Sequence, residues 1–147
     1  VGENLGVGVT YNSSSNTAIL DDTKEAEKYL YFLANASNAA SLVYGDSLQY
    51  QALKLGSIHL TSRFYPTTSN VVQNAQNLIA NISIDSPYYS DASNVNVLLS
   101  QMLDAFADLE DAYYNNQSDT YNNCIDIISD NYKEVTTIMV KSATLTY

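Results

Sequence analysis

The sequence is poor in the residues that build catalytic and cofactor sites. It has one cysteine, Cys124, and one histidine, His59, among 147 residues, and it has no tryptophan. A single cysteine excludes an internal disulfide, and a single histidine excludes the multi-histidine sites of zinc, copper and di-iron proteins. The sequence also lacks the glycine-rich phosphate loop and the Cys-x-x-Cys-His motif of haem attachment. We therefore expect no cofactor and no catalytic residue, and we predict that the protein is not an enzyme.

Basic residues and long apolar runs are also scarce. Six lysine and arginine residues stand against sixteen aspartate and glutamate residues, which gives a net charge of −10. Nucleic-acid binding needs basic side chains that displace counterions from phosphates, so we expect no nucleic-acid partner. The sequence contains no run of about 18 apolar residues, so we expect no transmembrane segment.

The polar surface is built from hydroxyls and amides instead of charges. Charged residues make up 15% of the chain, whereas about 25% is usual for globular domains. In their place stand 16 asparagines, 17 serines, 11 threonines and 13 tyrosines. This composition is typical of secreted and surface proteins, so we expect an extracellular or cell-surface location. Four Asn-x-Ser/Thr sites are candidates for glycosylation, although chance alone predicts about three; they are Asn12, Asn35, Asn81 and Asn116.

Apolar spacing predicts an all-α protein, an up-down bundle of four or five helices with a short extended N-terminal arm. Helices are predicted over residues 23–44, 47–64, 70–83, 94–114 and 120–140. Gly45 is expected to end the first helix and Pro66 to close the second. Residues 21–147 form one domain. Apolar residues at steps of three and four predict a core that contains Leu33, Leu98, Met102, Phe106, Leu109, Cys124, Ile128 and Val135.

Residues 1–20 differ from the rest and are expected to be an extended arm or a leader. Leu5, Val7 and Val9 alternate with glycines, which is the period of a β-strand. We expect this arm to have no partner strand in its own helical chain, so that it could pair with another chain.

The first two predicted helices are apolar on more than one side. Two such adjacent helices are difficult to enclose in a chain of this length, so we expect part of this surface to contact another subunit. With the arm residues, the predicted interface contains Tyr31, Phe32, Leu42, Tyr50, Leu53, Leu60 and Phe64.

Three aspartates provide the one candidate for a metal site. Asp104, Asp108 and Asp111 have the spacing i, i+4, i+7, so their carboxylates share a helix face that could bind Ca²⁺ weakly. A solvated outer face explains the same pattern more simply, and we predict no required metal.

These features favour a non-enzymatic structural or interaction protein. We expect a subunit of an extracellular or cell-surface assembly, such as a filament, a surface layer or a coat, which forms by self-association. The alternative is a ligand-binding or sensory helical-bundle ectodomain, in which a small molecule lies between the helices.

Overall fold

The described residues form a bundle of four helices preceded by a pair of antiparallel strands. The computed structural model describes residues 9–12, 17–20, 22–55, 60 and 62–144. The strands β1 and β2 are followed by four α-helices, with one 3₁₀ turn after the second helix. Their bounds are Val9–Asn12 for β1, Thr17–Leu20 for β2, Asp22–Leu55 for α1, Tyr65–Asn77 for α2, Leu78–Asn81 for the 3₁₀ turn, Tyr89–Tyr114 for α3 and Ser118–Ser142 for α4.

The longest helix, α1, contacts each of the other three helices. Its 34 residues extend about 51 Å at the α-helical rise of about 1.5 Å per residue. It buries large side chains such as Phe32 and Tyr50, and small ones where Ala36, Ala39 and Ala40 let a neighbouring helix approach. Most of the two-sided apolar pattern of this segment is therefore covered within the chain, by α2, α3 and α4, while Tyr31 and Leu48 stay exposed. Phe32, Val43 and Tyr50 need no second subunit to cover them.

The predicted division of this segment at Gly45 is wrong. Gly45 is helical, and α1 continues through it to Leu55. A glycine inside a helix costs about 1 kcal/mol relative to alanine, and the burial of Val43 and Tyr50 on either side outweighs that cost. Residues 47–55 of the second predicted helix, over 47–64, therefore belong to α1, and residues 62–64 lie outside any helix.

The other helices lie where the apolar spacing placed them, with shifted ends. The third helix begins five residues earlier than its predicted start at residue 70, because α2 starts at Tyr65 with Pro66 in its first turn. Proline suits this position because the N–H groups of the first turn have no hydrogen-bond partner within the helix, so the N–H that proline lacks is not missed. All eight residues predicted for the core are buried, so the all-α bundle and its core are confirmed.

The N-terminal strand has a partner within its own chain. β1 pairs with β2 in antiparallel register, from Val9 opposite Leu20 to Asn12 opposite Thr17. The prediction that this strand is unpaired is therefore wrong for Val9, while Leu5 and Val7 lie outside the described residues. His59 also lies outside them.

Candidate interaction surface

The charges of this acidic chain are distributed unevenly around the bundle. The exposed faces of α3 and α4 carry most of the acidic residues of the helices, among them Asp104, Asp108, Asp126 and Asp130. By contrast, no charged residue occurs between Arg63 and Asp85, a stretch that contains all of α2 and the 3₁₀ turn. Residues 29–45 of α1 are also without charge. Because α2 packs against α1, these two stretches give the bundle one uncharged side.

A shallow groove runs along this uncharged side, between α1 and α2. It has a volume of about 440 Å³, and we call it the α1–α2 groove; its lining residues are Tyr31, Asn35, Asn38, Val71, Asn74, Ala75 and Leu78. The two exposed apolar side chains at its rim are Tyr31, which is 62% exposed, and Val71, which is 37% exposed. None of the lining residues is charged. The groove therefore presents aliphatic, aromatic and amide groups to solvent.

The N-terminus of α2 is held by a buried glutamate of α3. Glu110 is 1% exposed, and its Oε2 accepts hydrogen bonds from the Tyr50 hydroxyl at 2.6 Å, the Phe64 amide at 2.7 Å and the Tyr65 amide at 3.3 Å. The residue preceding α2 offers no side-chain cap, so this carboxylate fulfils that role from another helix. Its Oε1 is buried without a hydrogen-bond partner among the described residues. Burial and the contact with Glu110 both raise the pKa of Tyr50, which keeps its hydroxyl protonated.

Further contacts fix the same end of α2. Arg63 forms an ion pair with Asp111 of α3, and its guanidinium lies 4.9 Å from the centre of the Tyr114 ring. Thr68 donates a hydrogen bond of 2.6 Å to Asp46 of α1. These links to α1 and α3 hold α2 in place, and with it the rim of the α1–α2 groove.

A second groove, between α3 and α4, has the opposite electrostatic character. It has a volume of about 470 Å³, and three of its lining residues are the carboxylates Asp104, Asp108 and Asp130. Cys124 also lines it, and burial raises the pKa of the thiol, as does the nearby charge of Asp108. A raised pKa keeps the thiol protonated, which is the opposite of what a catalytic cysteine requires.

The three aspartates of the calcium candidate do not come together as a metal site. Asp104 and Asp108 line the α3–α4 groove, whereas Asp111 is paired with Arg63. Within the described part of the chain, no three acidic, histidine or cysteine residues are placed to hold a metal ion.

The residues predicted for an interface fall into three groups. Phe32 and Tyr50 are fully buried in the bundle, so they cannot contact another subunit, and this part of the prediction is wrong. Tyr31 is exposed and lies in the α1–α2 groove. Half-buried side chains form the third group, which contains Leu42, Leu53, Leu60 and Phe64. The last three of them pack against the core.

The candidate glycosylation sites lie in four different settings. Asn12 ends β1, Asn35 lies inside α1, Asn81 ends the 3₁₀ turn, and Asn116 lies in the loop between α3 and α4.

Sequence reasoning missed two features that the sequence nonetheless contains. Glu110 follows Phe106 by four residues, so at about 100° per residue it lies close to the apolar stripe of α3, where a glutamate is expected to be buried. The absence of charge between Arg63 and Asp85 is also readable, but it becomes a surface only when α2 is placed beside α1.

No helix in the described residues is long and apolar enough to cross a membrane.

Comparison with known proteins adds no assignment. No protein-family model, curated protein or solved structure matches the chain.

Proposed function

We propose that the protein is a non-enzymatic structural subunit of an extracellular or cell-surface assembly, such as a filament, a surface layer or a coat, and that it assembles by self-association. The observation that carries the proposal is the uncharged side of the bundle, centred on the α1–α2 groove. The extracellular location is supported by the surface rich in asparagine, serine, threonine and tyrosine. The four Asn-x-Ser/Thr sites of the sequence support the further proposal that the chain is a glycoprotein in that location.

The charge distribution limits how two copies of this chain can meet. Each copy carries a net charge of −10, and two carboxylates brought to about 4 Å repel by roughly 1 kcal/mol even in water. Contact through the acidic α3–α4 side would bring many such pairs together. Contact through the α1–α2 groove would instead bury Tyr31 and Val71 beside amides, which can form hydrogen bonds with a second copy. The uncharged side is therefore the favoured surface for self-association.

The pKa shifts of three buried residues do not favour their use as catalytic nucleophiles. Burial raises the pKa of Tyr121 to about 12 and also raises the pKa of Tyr29 and Cys124, so all three stay protonated at neutral pH. Catalytic nucleophiles need the opposite shift or an adjacent base.

The shape of the grooves favours assembly over a ligand-binding ectodomain. Ligand pockets usually enclose most of a small molecule. The α1–α2 and α3–α4 grooves lie instead on the outside of the bundle and carry exposed residues such as Tyr31 and Ile127.

The proposal is tested by sedimentation of the intact chain over a range of protein and salt concentrations. We expect association that increases with protein concentration and strengthens as salt rises. Salt screens the repulsion between acidic copies, whereas it does not weaken an apolar contact. A chain that stays monomeric at every protein and salt concentration would contradict the proposal. Association that disappears at high salt would show that charge pairs hold the copies together, which also contradicts it.

A further inference from the structure

We infer that Asn116 is the position at which the folded chain accepts an N-linked glycan, and that Asn35 and Asn81 do not accept one in the folded state. The inference rests on the proposed extracellular function, because glycan transfer occurs on exported chains. The enzyme must reach the asparagine amide and the hydroxyl two residues later at the same time. A usable site therefore needs exposure across all three residues, and the structure separates the candidate sites on this criterion.

The site at Asn116 is open over its whole length. Asn116 and Gln117 lie in the loop that joins α3 to α4, Ser118 is the first residue of α4, and all three are exposed. Asn116 has a φ of 55°, a left-handed conformation that asparagine tolerates better than most residues. The Gln117 amide donates a hydrogen bond of 2.9 Å to the carbonyl of Ala112. The loop is thus fixed in shape at the end of the bundle, with its residues exposed to solvent.

The site at Asn35 is closed by the helix that contains it. Asn35 lies inside α1, and its Nδ2, the atom that would carry the glycan, donates a hydrogen bond of 2.9 Å to the Tyr31 carbonyl. The next residue, Ala36, is fully buried. An enzyme could bind this site only after α1 unwinds around it.

The site at Asn81 is closed at its second and third residues. Asn81 itself is exposed, but Ile82 is 4% exposed and packs in the core. The Ser83 amide donates a hydrogen bond of 3.2 Å to the buried Glu25, and the Ser83 hydroxyl accepts one of 3.3 Å from the Asp85 amide. Ser83 is therefore half-buried and held against the fold, whereas Ser118 is exposed and its hydrogen bond to Lys54 lies at the surface. Asn12 lies in β1, and the residues that complete its site are outside the described part of the chain.

The glycan is transferred to the asparagine from a lipid-linked donor. The Asn116 Nδ2 forms a bond to the first carbon of an oligosaccharide carried on a lipid diphosphate. The bond from that carbon to the diphosphate oxygen breaks, the amide loses one proton, and the lipid diphosphate leaves. No oxidation or reduction occurs, and the product is a glycosylated amide on an exposed loop.

A glycan at Asn116 is compatible with the proposed assembly surface. Ser118 lies beside the end of α1, where its Oγ accepts a hydrogen bond from Lys54 at 3.5 Å. Lys54 is 23 residues from Tyr31 along α1, a distance of roughly 34 Å at the rise of an α-helix. The glycan would therefore stand away from the α1–α2 groove.

The test uses the purified folded chain, a single-subunit oligosaccharyltransferase and a lipid-diphosphate-linked oligosaccharide. All variants carry Asn12→Gln, so that only the described sites are compared. Peptide mass spectrometry measures the occupancy of each site. Synthetic peptides spanning the three sites, assayed in parallel, measure how well each local sequence is accepted without the fold.

In the folded chain we expect Asn116 to be occupied roughly tenfold or more above Asn35 and Asn81, and Ser118→Ala to abolish its occupancy. The three peptides should differ much less, because the fold and not the sequence closes Asn35 and Asn81. Equal occupancy of the three sites in the folded chain, or no occupancy at Asn116, would overturn the inference. If the peptides showed the same preference for the Asn116 site as the folded chain, the inference would also be overturned, because the preference would then come from the local sequence and not from the fold. Sedimentation measures self-association separately, so failure here is distinguishable from failure of the proposed function.

Discussion

Replacing Gly45 with alanine tests directly whether α1 is one continuous helix. Glycine at a helix end adopts a left-handed conformation that disfavours alanine, whereas glycine inside a helix only adds freedom to the unfolded chain. A Cβ built at Gly45 meets no atom within 4 Å, so alanine fits without a clash. The two interpretations therefore predict opposite signs for the change in stability.

We expect Gly45→Ala to increase the free energy of unfolding by about 0.5–1 kcal/mol, because alanine is the better helix former. In a chain of this size that gain corresponds to a rise in melting temperature of about 1–4 °C. Urea denaturation followed by far-ultraviolet circular dichroism measures the free energy. Ala34→Gly is the matched control: Ala34 is exposed in the same helix, so this variant should lose about the amount that Gly45→Ala gains.

A loss of about 1 kcal/mol or more in Gly45→Ala would refute the continuous helix. It would mean that Gly45 adopts a left-handed conformation and that α1 ends there, as its sequence pattern first indicates.

Three further predictions concern the polar residues of the interior. Tyr50→Phe removes one of the donors to Glu110 and should lower the free energy of unfolding by about 1.5–3 kcal/mol in urea; a loss below about 0.5 kcal/mol would show that this hydrogen bond does not stabilise the fold. Burial raises the pKa of Asp46, so this carboxyl contributes stability below its unfolded pKa and loses it as pH rises through the folded pKa. The melting temperature of Asp46→Asn minus that of the intact chain should therefore increase from pH 3 to pH 7. A difference that does not change with pH would contradict the raised pKa of Asp46. Burial and a raised pKa should make Cys124 react with a chromogenic disulfide reagent roughly tenfold or more slowly in the folded chain than in urea, and equal rates would place the thiol at the surface.

The core of this protein could be predicted from its sequence because helical burial leaves a periodic trace. Residues such as Met102, Phe106 and Leu109 on α3, and Cys124 and Ile128 on α4, recur every three or four positions and are all buried. A helix with one apolar stripe buries that side, so the position of the stripe predicts which residues lie in the core.

The architecture of α1 could not be predicted in the same way. Gly45 is a strong local sign of a helix end, but local propensity amounts to only about 1 kcal/mol and tertiary packing outweighs it. An apolar pattern on several sides indicates that a helix is enclosed, but it does not say whether its own chain or a second copy encloses it. Phe32 and Tyr50 are enclosed by their own chain.

The candidate site depends on contacts between distant parts of the sequence. Glu110 caps a helix that begins 45 residues earlier, at Tyr65, and no local pattern predicts that pairing. The uncharged side likewise combines Tyr31 of α1 with Val71 of α2. The sequence contains both uncharged stretches, and the fold makes them one surface.

The central claim is that copies of this chain associate through the α1–α2 groove. Sedimentation of Val71→Asp beside Ile127→Asp tests it most directly. Both substitutions add one negative charge at an exposed apolar position of a helix, but Val71 lies in the uncharged groove and Ile127 in the acidic α3–α4 groove. We expect the intact chain and Ile127→Asp to associate, and Val71→Asp to remain monomeric at the same protein and salt concentrations. Association of Val71→Asp at the level of the intact chain, or an intact chain that is always monomeric, would contradict the claim.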